Sequence, residues 1–177
     1  MEYKKTIGEK ELILRKPEES DAEAIIDYLK TVYGETRFLA KEPEEITFSA
    51  EDERNFIKRV NNSRTGIMLL GFLDGEMAGS CSLSDMGAMR FAHRAELSVA
   101  LFRRFTGLGI GRFMVETLLK IAKETGLEQV TLEVAKENER AVSLYKKLGF
   151  NVFGEFPKNM KYKDGTYSTT LWMMKEI

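Results

Sequence analysis

The sequence predicts an α+β fold of about seven strands and about four helices, in a single domain spanning residues 1–177. Three observations carry it. Two Asp-Gly dipeptides, Asp74-Gly75 and Asp164-Gly165, each separate two strand-like runs and favour tight antiparallel hairpins. Apolar residues recur at helical spacing in four separate stretches. Between two β-rich runs, Thr106-Gly107-Leu108-Gly109-Ile110-Gly111 makes a glycine-rich turn that opens a helix. The length is that of one ordinary domain with a core of its own, and no linker, repeat or low-complexity tract divides it.

Glu11 to Arg15 reads as a first strand ended by Pro17, and Ser20 with Glu23 reads as a capping box. Ala22, Ile25, Ile26, Leu29 and Val32 then form one helical stripe. After a loop from Gly34 to Phe48, Ser49 is a second N-cap. Phe56, Ile57 and Val60 give that helix a narrow apolar face, and its charged faces are expected to be solvated. Ile67 to Leu73 and Glu76 to Leu83 flank the first hairpin turn. Ala95 to Phe102 is a strand with Leu97, Val99 and Leu101 on one face and Glu96, Ser98 and Ala100 on the other. The helix after the glycine turn runs to Gly126, and Val130 to Val134 is the next strand. Asn138 opens a fourth helix that Gly149 ends. Asn151 to Phe156 and Tyr167 to Met174 close the chain as the second hairpin.

Charge and composition exclude several classes. The 27 basic and 28 acidic side chains nearly cancel, so neither nucleic acid nor an anionic membrane is an expected partner. Cys81 is the only cysteine and His93 the only histidine, which leaves little for a metal site, and none is expected. The start, Met1-Glu2-Tyr3-Lys4-Lys5, lacks an apolar leader, and no stretch reaches the length of a membrane span, so a cytoplasmic location is expected.

Three alternating glycines between strand and helix let the backbone approach a ligand closely. The free amides and the dipole at the helix start favour phosphate, and Arg112 adds a charge there. Glycines also make tight turns that bind nothing. A P-loop requires Lys followed by Ser or Thr after the last glycine, and here Arg112-Phe113 follows Gly111. A dinucleotide-binding turn requires a further glycine where Met114 stands, although Glu133, about 20 residues on, suits its ribose-binding acid. That reading stays open, but it gives no role to Asn138 or Tyr145.

The segment from Glu96 to Phe150 resembles the GNAT superfamily of acetyl-CoA-dependent N-acetyltransferases. The likeness is carried by Gly107-Leu108-Gly109-Ile110-Gly111, Asn138-Glu139-Arg140-Ala141 and Leu144-Tyr145-Lys146-Lys147-Leu148-Gly149-Phe150. It implies a GNAT fold, layered like α/β/α, with a central mixed, mostly antiparallel sheet, and acetyl-CoA as cosubstrate. It further implies that the backbone of Val99, Ala100 and Leu101 runs along the pantetheine arm. The turn from Thr106 and Gly107 through Leu108, Gly109, Ile110, Gly111 and Arg112 would hold the pyrophosphate. Where Thr106 stands the family usually has Gln or Arg, and Arg103 and Arg104 are nearby substitutes. Asn138 would bond the cofactor arm, a role compatible with capping its helix. Tyr145, two turns on, would lie near the sulfur, unless it is simply a core aromatic.

The implied reaction is direct attack of a primary amine on the thioester. Tyr145 is the candidate general acid and Glu96 the candidate base, with His93 and Asp85 behind it. The resemblance places the acceptor cleft between Tyr33 to Phe48, rich in Glu35, Glu42, Glu44 and Glu45, and Phe156 to Tyr167, which carries Lys158, Lys161 and Lys163. The acceptor is expected to be a small-molecule amine or a protein N-terminus. The family suggests a homodimer, though no segment marks an interface. The competing function is a regulatory module that binds CoA without catalysis.

Overall fold

A computed structural model describes residues 2–63 and 66–177. Met1, Arg64 and Thr65 lie outside the described residues. One sheet contains eight strands: β1 (Glu2–Ile7), β2 (Lys10–Arg15), β3 (Ile67–Leu73), β4 (Glu76–Asp85), β5 (Arg94–Leu101), β6 (Gln129–Ala135), β7 (Asn151–Lys161) and β8 (Tyr167–Glu176). The helices are α1 (Ala22–Glu35), α2 (Ala50–Asn61), α3 (Ile110–Glu124) and α4 (Glu139–Lys147). The spatial order is β1-β2-β3-β4-β5-β6-β8-β7. Among the described residues only β5 and β6 pair in parallel, so the sheet is mixed and mostly antiparallel, as expected.

The extra strand is β1, which the sequence pattern conceals. Its residues are polar except at Tyr3 and Ile7, and as an edge strand it needs only main-chain pairing with β2. The start of α1 also differs from expectation. The capping box is formed by Glu18 and Asp21, two residues before the expected Ser20 and Glu23, because Asp21 is fixed by Arg15 at 2.7 and 2.9 Å. Ser49 caps α2 as expected, in a reciprocal box with Asp52. Both residues of the Asp74-Gly75 turn have positive φ, 49° and 81°, which is the type I′ geometry that suits the twist of β3 and β4. Strand β7 runs five residues beyond Phe156, because register shifts after Val152 and Phe156 absorb the misfit and let pairing with β8 resume.

Consecutive residues of β3 bury to opposite faces. Leu69 packs in the cluster that contains Met114, Leu118 and Ile121 of α3. Leu70 joins Ala22 and Ile25 of α1 and Ile57 of α2. Each fully buried side chain of this kind contributes about 1.5–3 kcal/mol relative to exposure, so both layers of helices are held on the sheet by the same strands.

The feature that creates a site lies in the middle of the sheet. β5 and β6 pair only at Arg94, Ala95 and Glu96 with Gln129, Val130 and Thr131. Past Glu96, β5 stays on β4 as far as Leu101, while β6 stays on β8 as far as Ala135. The two strands part, leaving a fork edged by unpaired main chain. Among the described residues no helix is long and apolar enough to cross a membrane.

Candidate functional site

Two connected clefts occupy the fork and its surroundings. The first, about 580 Å³, is lined by Val99, Ala100 and Leu101 of β5, Glu133 and Val134 of β6, the glycine turn, and Asn138, Arg140, Ala141, Leu144 and Tyr145 around α4. The second, about 510 Å³, lies between α1, α2 and the adjoining faces of β4 and β5. They share Val32, Leu39, Val99 and Ala100.

The glycine turn opens α3 with left-handed glycines and unbonded amides. Gly107 and Gly109 have φ of 91° and 84°, where a side chain would be strained, and Gly109 is the N-cap of α3. The first intrahelical bond runs from the Phe113 amide to the Gly109 carbonyl. Backbone amides of residues 107–112 therefore donate to no described acceptor, and the positive end of the α3 dipole lies among them. Thr106, Gly107, Gly109, Gly111 and Arg112 line the first cleft. Leu108 and Ile110 contribute main chain only, since the Leu108 side chain is exposed and that of Ile110 is buried in the core.

The nearby arginines are mostly occupied. Arg112 bonds Glu116 one turn on at 2.7 Å. Arg104, one expected substitute at the Thr106 position, is instead held by Glu76 at 2.7 Å and stacked on Phe102 and Phe105, outside the cleft lining. Arg103 does line the cleft and is tied to Glu35. Arg140, not singled out in the sequence, lies beside the turn, with Nη2 3.5 Å from where a Cβ on Gly107 would stand. Its position two residues after the capping Asn138 is the signal that finds it.

Asn138 caps α4, its Oδ1 accepting from the Ala141 amide at 3.3 Å. Its amide nitrogen makes no bond among the described residues, so capping occupies only one end of the side chain. Tyr145 is 7% exposed and packs edge-on against Phe150, with ring centroids 5.8 Å apart. It is thus a core aromatic and a cleft residue together. Its hydroxyl bonds no described residue, and burial pushes its pKa up to about 12.

Glu96 sits at the point of the fork, opposite Ser84 on β4 and Thr131 on β6. Loss of hydration there, and then the negative charge of Glu133, hold its carboxyl above the ordinary carboxylate range, with Arg94 opposing. Glu133 accepts from the Trp172 indole at 3.0 Å. His93 is exposed and Asp85 accepts from the Gly87 amide; neither of them lines a cleft, and nor does Glu96.

The expected acceptor rim has a different character from its sequence. Lys163 pairs with Glu42 at 3.2 Å and Glu44 at 3.1 Å, and Arg37 stacks on Tyr162 while bonding Thr166 at 2.8 Å. The acidic loop and the basic hairpin neutralise and tie each other. Of the two segments, only the first lines the second cleft, through Tyr33, Leu39, Lys41, Ile46 and Phe48. One lining residue contradicts the expected solvation of α2: Glu53 is 5% exposed. It stands four residues before Ile57 and seven before Val60, on the same helical stripe, which is the spacing that finds it.

Among the described strands the mixed sheet is forked at its one parallel pair, with the unbonded amides of a glycine turn on one side of the fork and a capped helix on the other, an α+β architecture with an open cleft at its centre. Residues 24–150 match the model of the acetyltransferase (GNAT) family, and the chain belongs to that family. It is similar to a GNAT-family acetyltransferase from Streptococcus pneumoniae, with 28% identity, a TM-score of 0.89, and 94% of this chain and 99% of that one covered. A putative acetyltransferase from Salmonella typhimurium, solved with its cofactor acetyl-CoA, shares the fold at a TM-score of 0.81 and 19% identity, covering 93% of each chain. The spermidine N(1)-acetyltransferase of Escherichia coli is 31% identical over 105 residues, 56% of this chain and 53% of its own. In two further curated N-acetyltransferases the matching stretch spans 43% and 33% of their length.

Proposed function

We propose that this chain transfers the acetyl group of acetyl-CoA to a primary amine of a small molecule or a protein N-terminus. The observation that carries this reading is the alignment along one cleft of three things: the open edge of β5, the unbonded amides of residues 107–112, and the free ends of Asn138 and Tyr145. The pyrophosphate of CoA fits the amides and the pantetheine arm the edge of β5. The thioester then falls near Val99 and Ala100, where the second cleft opens. Relatives named as N-acetyltransferases support the same chemistry, and one is named for a polyamine substrate.

In the proposed reaction the amine nitrogen attacks the thioester carbonyl, the C–N bond forms and the C–S bond breaks. Starting from the ammonium, nitrogen loses two protons, one to a base and on to solvent before attack and one after it, which balances the proton the leaving thiolate takes up; the products are an N-acetyl amine, CoA thiol and one released proton. An alkyl ammonium is neutral in only about one molecule in 10³ at pH 7, so a base must take its proton. Glu96 lies at the fork but outside the lining of both clefts, so it would take that proton through a water chain, and its raised affinity for protons brings it closer to the working pH. Tyr145 fits the leaving-group side. A phenol at about 12 facing a thiol of about 8.5 cannot transfer its proton fully without an uphill cost of about 5 kcal/mol. It therefore acts as a hydrogen-bond donor to the sulfur while charge develops there.

Composition favours a cytoplasmic setting. The test is thiol release from acetyl-CoA across a panel of primary amines, together with product mass. Tight CoA binding without turnover of any amine would leave a CoA-binding module in place of an enzyme, and a thermal shift with NAD(P) but none with acetyl-CoA would leave the dinucleotide reading.

A further inference from the structure

The second cleft contains one ionisable group for which the proposed chemistry has no use. Glu53 on α2 is 95% removed from solvent, lines this cleft, and its carboxylate has no hydrogen-bond or ion-pair partner among the described residues. Its oxygens are not sealed in the core, since among the described residues the fully buried unpartnered side-chain atoms are those of Asn61 and Arg94; the carboxylate is poorly hydrated yet open to the cleft, where a charged or hydrogen-bonding group can reach it. The remaining lining explains what can arrive. Ile25, Leu29, Phe56, Val60 and Met68 present hydrocarbon, while the β4 and β5 side offers the hydroxyls of Ser80, Ser82, Ser84 and Ser98. Two other charges line the cleft. Asp52 is committed to the α2 capping box, and Lys41 is exposed at the edge.

The position of Glu53 distinguishes it from a group that would meet the reacting nitrogen. Residues common to both clefts, where the thioester would lie, come from α1, the following loop and β5; none comes from α2. Glu53 thus lies in the part of the second cleft that the cofactor does not share. The surface acids cannot substitute for it, because Glu42 and Glu44 are already paired with Lys163.

We propose that Glu53 binds a second cationic group of the acceptor, so that the chain acetylates one end of a diamine-type substrate while the other ammonium rests on this buried carboxylate. The inference rests on the proposed acetyl transfer for the identity of the reacting end, and on the cleft alone for the binding of the cation. A methylene chain between the two nitrogens would cover the hydrocarbon wall, and the serine hydroxyls would accept from whichever N–H groups remain.

The experiment compares putrescine with n-butylamine as acceptors, for the native chain and for Glu53→Gln, which keeps the size of the side chain and removes its charge. Loss of a charge-assisted hydrogen bond of about 1.5–3 kcal/mol corresponds to about tenfold or more. The preference for putrescine over n-butylamine in kcat/KM is expected to fall by that factor in the variant, mainly through KM. A preference that stays within about twofold overturns the proposal, as does a native chain that prefers n-butylamine. Calorimetric binding of putrescine to the CoA-saturated protein separates the two hypotheses. If no amine is acetylated, the proposed function fails, yet an approximately tenfold weaker Kd in Glu53→Gln still supports the cation site and an equal Kd overturns it. The melting temperature of Glu53→Gln, expected to be no lower than native, excludes misfolding as the cause.

Discussion

Tyr28 donates its hydroxyl to the backbone carbonyl of Ala100 at 2.8 Å, tying α1 to the strand that edges both clefts. The same oxygen accepts from the Ser80 amide at 3.2 Å and meets the Ser80 hydroxyl at 3.2 Å, so one phenol bridges β4 and β5 next to the fork. The ring is 1% exposed and packs edge-on against Phe102, and burial pushes the hydroxyl up to about 12, which keeps it a donor throughout the physiological range. Tyr28→Phe keeps the packing and leaves a buried amide and carbonyl without their partner. It is expected to cost about 1–3 kcal/mol, a fall in melting temperature of about 2–10 °C for a chain of this size. If β5 is the pantetheine edge, KM for acetyl-CoA rises as well. Scanning calorimetry and acetyl-CoA titration check both parts.

Removing the Tyr145 hydroxyl tests the leaving-group role. In Tyr145→Phe the ring still packs on Phe150, so the fold and CoA affinity should hold. The lost donor to sulfur lowers kcat by about 10²-fold, the lower end for such groups, because the hydroxyl donates a hydrogen bond without full proton transfer. Stopped-flow thiol release with calorimetric CoA binding separates the two quantities. Unchanged turnover removes Tyr145 from the mechanism.

The pair Glu96 and Glu133 makes a pH prediction of definite sign. As a base Glu96 works deprotonated, so kcat/KM rises with pH through its pKa, which burial and Glu133 hold above the ordinary carboxylate range. Glu133→Gln keeps an acceptor for the Trp172 indole and removes the charge. The acid limb of the profile should then move to lower pH, whereas Glu96→Gln should abolish that limb and lower kcat/KM by about 10²-fold or more. An acid limb that Glu133→Gln leaves in place assigns the titration to another group.

How far this site was legible in the sequence depended on whether a residue's role is local. Asp74-Gly75 and Gly109 declare themselves because only a few residues tolerate their backbone angles. Asn138 does so because capping is decided within four residues. β1 was hidden because its stability comes from pairing with β2, which leaves no apolar alternation along Glu2–Ile7. The fork between β5 and β6 was equally invisible, since pairing that ends after Glu96 is a property of two strands more than thirty positions apart. Arg104 and the Glu42, Glu44 and Lys163 group were misleading for one reason: charge in sequence carries no record of its partner, and here each found one across the chain. Glu53 is hidden in the sequence because half of the α2 positions are charged, and only its shared stripe with Ile57 and Val60 marks it as buried.

Glu53 also sets how the ligand-free chain responds to pH. Burial raises its pKa, so the folded chain binds that proton more tightly than the unfolded chain does. Below the unfolded carboxyl value, about 4.3, both states carry the proton and Glu53 costs nothing. As pH rises from there through the raised folded value, unfolding releases the proton and stability falls. Glu53→Gln removes this penalty. Denaturant titrations should give equal stability for the two proteins near pH 4 and an advantage to the variant of about 1 kcal/mol near pH 7. A cationic ligand reverses the sign, because it favours the ionised carboxylate. Saturating putrescine should therefore stabilise the native chain more than the variant at pH 7, and by progressively less toward pH 4. An advantage to Glu53→Gln that is the same at both pH values would show that the effect is packing and not charge.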